Sequence, residues 1–279
     1  MEKIKITACA KINLSLSVLG KREDGYHELD TVMQSVDLSD TVYIEKCRGI
    51  ITDCKGISAE ENIAARAARL FCEKTGAEGC KIKIEKRIPA AAGLGGGSAD
   101  AAAVLAGLNR LYKTGISKTE LCEIAVKIGA DVPFLIAGGT ARARGIGEKL
   151  TPLMPLKDCW FLLAKAEEKP STAEMFSRLD STDYIKPDIE KTVNAVNCGD
   201  LNGVLENLGN SFEILWSKSP LKEMLSSTHP AACSLSGSGP ARFAVYGDLN
   251  SALRARDKLS AKGVFCEICK PLNKSLIFE

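Results

Sequence analysis

A glycine-rich loop constrains this chain more than any other segment, because it runs directly into an alanine-rich stretch. Four of the five residues 93–97 are glycines, and small residues dominate from Ser98 to Gly107. Glycine allows the positive backbone dihedrals of a tight turn and keeps Cβ atoms away from a ligand. The helix predicted to follow would direct free N–H groups and the positive end of its dipole into that turn. The pattern therefore predicts a phosphate-binding loop.

Two common phosphate loops are excluded by the local sequence. A Walker A loop ends in Gly-Lys-Ser or Gly-Lys-Thr, whereas Gly97 is followed by Ser98 and Ala99. The G-x-G-x-x-G/A fingerprint of dinucleotide-binding folds fails in both frames that residues 93–100 offer. In the preceding residues 81–88, apolar and charged side chains alternate, which is typical of an antiparallel strand with one exposed face. The first strand of a dinucleotide-binding fold would instead be apolar throughout.

The N-terminal segment has the alternating pattern of a long strand. Within residues 3–18, the even-numbered residues are all apolar and the odd-numbered residues are mostly polar. Because side chains alternate between the two faces of a strand, the pattern predicts one apolar and one polar face. Apolar runs at residues 32–36 and 41–44 predict two more strands. The sequence Ser-Ala-Glu-Glu at residues 58–61 is a capping box that predicts the start of a helix.

The segment Thr-Pro-Leu-Met-Pro at residues 151–155 is the best candidate for a domain boundary. Beyond it, the strand and helix patterns follow the order β-α-β-β-α-β, which is that of a ferredoxin-like domain. The predicted strands of this part are residues 160–164, 232–235, 242–246 and 264–269. We therefore expect an α+β protein with two domains, residues 1–155 and 156–279.

Composition excludes several classes of protein. A net charge of +2 gives no basic field of the kind that nucleic-acid binding needs, and only 5% of the residues are aromatic and could stack on bases. No stretch approaches the ~20 apolar residues that span a bilayer. The eleven cysteines are scattered and odd in number, and no apolar signal segment precedes them, so we expect free thiols in a reducing cytosol. These features predict a cytoplasmic protein that binds neither nucleic acid nor membrane.

Three glycine- or lysine-containing motifs together resemble those of the GHMP kinases (galactokinase, homoserine kinase, mevalonate kinase and phosphomevalonate kinase). The loop at residues 89–99 resembles the second motif of that family. Residues 8–14, Ala-Cys-Ala-Lys-Ile-Asn-Leu, resemble the first motif, and residues 235–240, Leu-Ser-Gly-Ser-Gly-Pro, resemble the third. The resemblance implies the two-domain GHMP kinase fold. In that fold, an N-terminal domain similar to part of ribosomal protein S5 is joined to a ferredoxin-like C-terminal domain.

The resemblance also implies ATP and Mg²⁺ as cofactors and assigns residues to them. Lys11 and Asp131 match the catalytic pair of the family, and whether Asp131 is a general base or orients the acceptor hydroxyl stays open. The magnesium ligand is not identified, and Ser98 is a candidate whose other role would be to cap the following helix. The expected ATP-binding residues are Asn62, Lys86, Pro89, Ala90, Ala91, Ala92, Gly93, Leu94, Gly95, Gly96, Gly97, Ser98 and Ala99.

Finer matches resemble one branch of the family, whose acceptor is a methylerythritol group linked to cytidine diphosphate. They lie at residues 10–14, 24–27, 94–98 and 129–133. That branch phosphorylates the 2-hydroxyl of its acceptor in the non-mevalonate route to isoprenoids. The resemblance implies that cytosine stacks between Tyr26 and Phe176 and is hydrogen-bonded by His27. Asn13 and Thr172 are the other expected acceptor-binding residues.

Two alternatives to this function stay open. The chain could be another small-molecule GHMP kinase, acting on an amino acid or a sugar alcohol. It could also be a non-enzymatic RNA-binding protein or ligand sensor on the same fold, although the near-neutral charge and the lysine–aspartate pair disfavour this. The sequence predicts a small-molecule substrate, and it does not decide between a monomer and a homodimer.

Overall fold

The computed structural model describes residues 3–58 and 62–279, which form a nine-stranded sheet, a four-stranded sheet and the helices that cover them. In the first half the elements are β1 (Lys3–Lys21), β2 (His27–Lys46), β3 (Gly49–Cys54), α1 (Ile63–Thr75), β4 (Gly79–Glu85), α2 (Gly96–Tyr112), α3 (Lys118–Val126), α4 (Val132–Ala137), β5 (Thr140–Gly145) and β6 (Lys149–Pro152). In the second half they are β7 (Trp160–Lys165), α5 (Thr172–Asp180), α6 (Ile189–Asn197), α7 (Leu201–Glu206), β8 (Gly209–Asn210), a 3₁₀ helix (Ser211–Trp216), α8 (Pro220–Ser226), β9 (Ala232–Leu235), β10 (Arg242–Tyr246), α9 (Leu249–Ser260), β11 (Phe265–Cys269), β12 (Pro271–Leu272) and β13 (Leu276–Phe278).

Strands β1 and β2 are the long antiparallel pair at the centre of the first sheet. Their register runs from the Lys3–Glu45 pair to the Lys21–His27 pair, with irregularities near residues 10, 14 and 19. The apolar runs at residues 32–36 and 41–44 are thus parts of one strand, not of two. The strand predicted from the alternation in β1 is confirmed, and its even-numbered residues from Ile4 to Leu14 are buried in the main core.

The polar face of β1 is also buried from Cys9 to Ser17. Segments of the second half cover it, because β8 pairs with β1 at Ser15 and Leu16, and the backbone N–H of Gly237 donates to Asn13 Oδ1 over 3.0 Å. A polar strand face covered in this way must have its hydrogen bonds satisfied by the protein or by a ligand. This face therefore belongs to the interior and carries the site described below.

The helices of the first half pack on one face of the first sheet. Gly107 of α2 permits a close approach, because a Cβ atom there would lie 2.6 Å from Cδ1 of Ile6. Helix α1 begins at Ile63, and the side chain of Asn62 caps it by accepting from the N–H of Ala64 over 2.9 Å. The predicted capping box does not start this helix. Of that box, residues 59–61 lie outside the described residues.

The second sheet has the strand order β11-β7-β10-β9, and all of its pairs are antiparallel. With α9 between β10 and β11, this is the order of a ferredoxin-like domain, as predicted. Helices α8 and α9 cover one face of the sheet with Leu221, Leu225 and Leu259. The α+β fold expected from the sequence is confirmed.

Two parts of the second half return to the first sheet. Strand β8 pairs with β1, whereas β12 pairs with β2 and β13 with β1 near the chain terminus. The chain therefore crosses between the sheets several times, and its division at residue 155 stays a prediction. Among the described residues, no helix combines the length and the apolar character needed to cross a membrane.

Candidate active site

A cleft of about 920 Å³ is lined by residues of both halves of the chain. The whole glycine loop from Pro89 to Ser98 lies on one side of it. The polar face of β1, the turn before β2 and helix α5 supply the rest of the lining. Most of the site residues predicted from the sequence meet in this cleft: Lys11, Asn13, Tyr26, His27, Lys86, Asp131, Thr172 and Phe176.

The glycine loop is held in place by its backbone carbonyls. The Leu94 carbonyl accepts from the N–H of Lys11 over 3.0 Å, and the Ala92 carbonyl accepts from the N–H of Ala241 over 3.0 Å. The Gly93 carbonyl accepts from the hydroxyl of Ser236 over 3.0 Å. These bonds fix the loop between β1 and the third glycine motif, so all three predicted motifs meet at one place.

Helix α2 starts inside the loop. Its N-cap is Gly95, which has a φ of 73° and no side chain to accept from the first N–H groups. The first turn of a 17-residue helix therefore keeps unsatisfied N–H donors on the cleft side, which is the arrangement that favours a bound phosphate. Ser98 lies in that turn but does not cap the helix. Its hydroxyl has no hydrogen-bond partner within the described part of the chain.

Lys11 and Asp131 form an ion pair at the centre of the cleft. Nζ of Lys11 lies 3.3 Å from Oδ2 of Asp131, and the lysine side chain is 3% exposed whereas the aspartate is 35% exposed. Lys11 sits in the middle of β1, and Asp131 is the residue before α4, a short helix that the sequence analysis did not predict. The predicted pair is thus brought together, with its carboxylate on the open side.

Asn13 holds the ammonium group of Lys11 in place. Its Oδ1 accepts from Lys11 Nζ over 2.7 Å and from the backbone N–H of Gly237 over 3.0 Å. Its Nδ2 donates to the hydroxyl of Thr31 over 2.9 Å. Asn13 faces the cleft, as expected of an acceptor-binding residue. Its carboxamide oxygen is nevertheless occupied by the protein.

An aromatic cluster occupies the other end of the cleft. The rings of His27 and Phe176 are stacked with their centroids 4.5 Å apart, and the edge of Phe212 packs on Phe176. His27 Nε2 lies 2.7 Å from Oδ1 of Asp180, and this bond holds the pKa of the aspartate below its usual value. Tyr26 is 61% exposed at the rim. One face of Phe176 is therefore taken by His27, and His27 Nε2 is not free for the cytosine edge.

Three of the predicted ATP-binding residues have roles that the sequence did not suggest. Ala99 is fully buried in the core and does not line the cleft. Asn62 is not in the lining either, since its side chain turns back to cap α1. Its Nδ2 is buried and has no partner among the described residues. Lys86 does reach the cleft, but it follows the last residue of β4 and bonds to two carboxylates, Asp40 and Asp100.

Three polar residues near the site were not predicted from the sequence. Asp40 and Asp100 are buried beside Lys86, and no motif marks them. Lys169 lines the cleft from the loop between β7 and α5 and bonds to Ser238 and Thr172. A lysine just before the Pro-Ser-Thr segment was the available signal, but a single lysine in a charged stretch is not distinctive. Within residues 3–58 and 62–279, no three His, Cys, Asp or Glu side chains cluster as a metal site.

The sequence of this chain matches a known family and several known proteins. The sequence profile of the GHMP kinases N terminal domain matches residues 62–139. A 4-diphosphocytidyl-2-C-methyl-D-erythritol kinase of Alkaliphilus metalliredigens is 41% identical over 272 residues, covering 93% of this chain and 94% of the relative. Another, from Thermoanaerobacter pseudethanolicus, is 40% identical over 286 residues and covers 99% of both chains.

Solved structures extend the comparison. A crystal structure of 4-(cytidine 5'-diphospho)-2C-methyl-D-erythritol kinase is similar with a TM-score of 0.77 at 32% identity, covering 95% of this chain and 99% of the other. A homoserine kinase from Cytophaga hutchinsonii has a TM-score of 0.78 at 18% identity, covering 100% and 98%, which shows a shared fold alone. On full-length identity of about 40%, this chain belongs to the 4-diphosphocytidyl-2-C-methyl-D-erythritol kinase family of GHMP kinases.

Proposed function

We propose that this chain transfers the γ-phosphoryl group of ATP to the 2-hydroxyl of 4-diphosphocytidyl-2-C-methyl-D-erythritol, a step of the non-mevalonate route to isoprenoid precursors. One structural observation supports the proposal in addition to family membership. The Lys11–Asp131 pair lies in the same cleft as the glycine loop and the stacked rings of His27 and Phe176. The groups that we propose to bind phosphate, to activate the hydroxyl and to stack on the base thus share one cavity.

ATP would be held by its phosphates on the glycine loop. The open N-terminus of α2 offers backbone N–H donors and a favourable dipole. Gly93 and Gly95 have φ values of 82° and 73°, which a residue with a side chain adopts only with strain. Mg²⁺ prefers oxygen ligands and is commonly held by phosphates with few protein groups. The free hydroxyl of Ser98 fits that role, and the ion would supply charge neutralisation on the transferred group.

The acceptor hydroxyl would lie against Asp131. The carboxylate is exposed enough to accept a hydrogen bond from the hydroxyl, and Asn13 fixes the ammonium group of Lys11 beside it. Phosphoryl transfer passes through a loose transition state in which positioning and electrostatics dominate. Asp131 thus orients the hydroxyl and takes its proton as the O–P bond forms. Lys11 stabilises the negative charge that develops between the two reactants.

The cytosine would bind at the aromatic end of the cleft. Tyr26 at the rim and Phe176 on α5 are the proposed stacking residues, with Thr172 one helical turn from Phe176. Because His27 covers one face of Phe176, the base must use the other face or displace the imidazole ring. Stacking provides affinity without selecting a base, so selectivity requires hydrogen bonds. Because His27 Nε2 is bonded to Asp180, these would come from Nδ1 of His27 and nearby backbone.

A substrate panel tests this function. Purified protein is incubated with ATP, Mg²⁺ and one acceptor at a time, and release of ADP is followed together with the phosphorylated product. We expect turnover of 4-diphosphocytidyl-2-C-methyl-D-erythritol and little or none of homoserine or mevalonate. Efficient phosphorylation of either of these, with the cytidylyl compound left unchanged, would refute the proposal.

A further inference from the structure

Lys169 lines the cleft, and its ammonium group bonds to neutral groups alone in the part of the chain that the structure describes. Its Nζ donates to the hydroxyl of Ser238 over 2.5 Å and to that of Thr172 over 3.2 Å. Ser238 belongs to the third glycine motif, and Thr172 is the first residue of α5. An ammonium group has three N–H donors, so one remains for a ligand. No carboxylate within the described ranges lies at ion-pair distance from this lysine.

The acidic residues of the same loop are engaged elsewhere. Glu167 accepts from the hydroxyl of Ser219 over 2.7 Å, and Glu168 is paired with Lys165. Lys169 is therefore a largely covered cation that the protein itself does not neutralise. Taking a charge out of water is costly unless it is paired, so this arrangement indicates a charged partner that comes from outside.

The charged groups that face Lys169 are Lys11 on β1 and Asp131 before α4. Burial lowers the pKa of Lys169 to about 8, with a further lowering by Lys11 and an opposing effect of Asp131. Two cations and one carboxylate thus face this part of the cleft, which leaves it with a net positive charge. An anionic group such as a phosphoryl oxygen would neutralise it.

We propose that Lys169 binds a phosphoryl oxygen of the bound reactants, as the second cation of the phosphate site. The proposal rests on the proposed function, because both reactants of that reaction carry phosphate chains. The oxygen belongs either to the γ-phosphoryl group of ATP or to the diphosphate of the acceptor. Both sources are within reach of the residues that hold the ammonium group. Thr172 lies at the end of the cleft proposed for the acceptor, and Ser238 lies in the third motif, residues 235–240, next to the glycine loop.

Two substitutions of Lys169 test this assignment. Lys169→Met removes the charge and keeps the length, whereas Lys169→Arg keeps the charge. Lys165→Met is the matched control, because Lys165 lies in the same segment and pairs with the exposed Glu168 outside the cleft. Turnover of the cytidylyl substrate by the wild type is measured first, so a wrong function is recognised before the variants are interpreted.

We expect Lys169→Met to lower kcat/KM about 10- to 100-fold, Lys169→Arg to restore much of it, and Lys165→Met to match the wild type. A fall in kcat alone assigns the lysine to the γ-phosphoryl group, and a rise in KM for the acceptor alone assigns it to the diphosphate. Calorimetry distinguishes the two possible sources of the phosphoryl oxygen, ATP and the acceptor, without relying on turnover. Loss of affinity for cytidine diphosphate but not for cytidine indicates the acceptor, and loss for AMP-PNP but not for ADP indicates the γ-phosphoryl group.

The pH profile supplies a further test. Because a lysine binds phosphate only when protonated, activity should fall as the pH rises through about 8, and the Lys169→Met profile should lack this limb. Circular dichroism checks that each variant is folded. Unchanged kinetic constants and affinities in a folded Lys169→Met protein, or an equal loss in Lys165→Met, would overturn the proposal.

Discussion

Lys86 donates a hydrogen bond to Asp100 over 2.6 Å and so connects the end of β4 to helix α2. The same ammonium group bonds to Asp40, which is fully buried and accepts from the backbone N–H groups of Arg87 and Ile88. One cation therefore serves two buried carboxylates beside the glycine loop. Burial raises the pKa of Asp100 to about 7, opposed by Lys86 and assisted by Asp40.

Removing this cation should destabilise the fold. We expect Lys86→Met to lower the free energy of unfolding by about 3–5 kcal/mol, because Asp40 and Asp100 would remain buried without a counter-ion. Urea denaturation at neutral pH measures the change. Lys83→Met is the control, since Lys83 pairs with Glu85 at the exposed surface, where an ion pair contributes little to stability. Equal stability of the two variants would contradict a structural role for Lys86.

Asp100 should make stability depend on pH. Its pKa is about 7 in the folded protein and near 3.8 when the carboxyl is unperturbed, so the native state binds more protons than the unfolded state between these values. Stability therefore falls as the pH rises from about 4 to 7 through this group. Asp100→Asn should flatten that part of the curve, which urea denaturation at several pH values measures. Parallel curves for both proteins would argue against it.

The Lys11–Asp131 pair should be essential for turnover. We expect Asp131→Asn and Lys11→Met each to lower kcat by on the order of 10²–10⁴. The double variant should be far from additive if the pair acts as a unit. Met is preferred to Ala at position 11 because Lys11 is buried and a smaller residue would leave a cavity beside Asn13. Steady-state kinetics test this, and near-normal kcat in either single variant would exclude the pair.

Gly97 offers a clean test of the phosphate loop. Its φ is not positive, and a Cβ atom there would meet only the flexible Ile63 side chain, with the nearest carbon at 3.3 Å. Gly97→Ala should therefore fold, yet its methyl group would obstruct the open helix terminus. We expect ATP affinity to fall about tenfold or more, equivalent to one charge-assisted hydrogen bond, with acceptor affinity retained. Calorimetry measures both affinities. Gly247→Ala is the control, because a Cβ atom at that position would meet nothing within 4 Å.

The aromatic cluster should determine acceptor affinity. Phe176→Ala should raise KM for the cytidylyl substrate about 5- to 150-fold, the equivalent of one stacked base, and spare ATP. Phe176→Tyr keeps an aromatic ring and should restore most of the affinity. Asp180→Asn loosens the His27 ring and should reduce the preference for cytosine over uracil. Wild-type KM and base preference in all three variants would place the pyrimidine site elsewhere.

Local sequence patterns predicted the elements whose structure depends mainly on residues within the element itself. The alternation in β1 and the glycines before α2 led to the correct strand, helix and loop. The burial of the polar face of β1 could not be predicted, because it depends on segments about 200 residues later, such as Gly237. The α+β order of the second half was predictable from periodicity, since each of its strands has a distinct apolar run.

The parts of the site that were missed depend on long-range pairing. In the sequence, Asp40 and Asp100 look like ordinary acidic residues. Their importance follows from the packing of β2 and α2, which places both carboxylates beside Lys86. Strands β12 and β13 are two and three residues long, so no periodicity could reveal them. In the sequence, Lys169 is an ordinary member of a charged run. Only the fold shows that the adjacent Glu167 and Glu168 bond to other residues and not to this lysine. The fold decides which of several similar side chains bond to each other, and the sequence alone does not show this.

The last strand, β13, pairs with β1 just before the segment that carries Lys11, and the carbonyl of Ser275 accepts from the N–H of Cys9 over 2.8 Å. Strand β1 is therefore completed by residues more than 250 positions further along the chain. A fragment without residues 275–278 could still bury the apolar face of β1, but the edge of the sheet beside Lys11 would be open. Cutting or displacing this short strand should thus disturb the position of Lys11, although no residue of β13 lines the cleft.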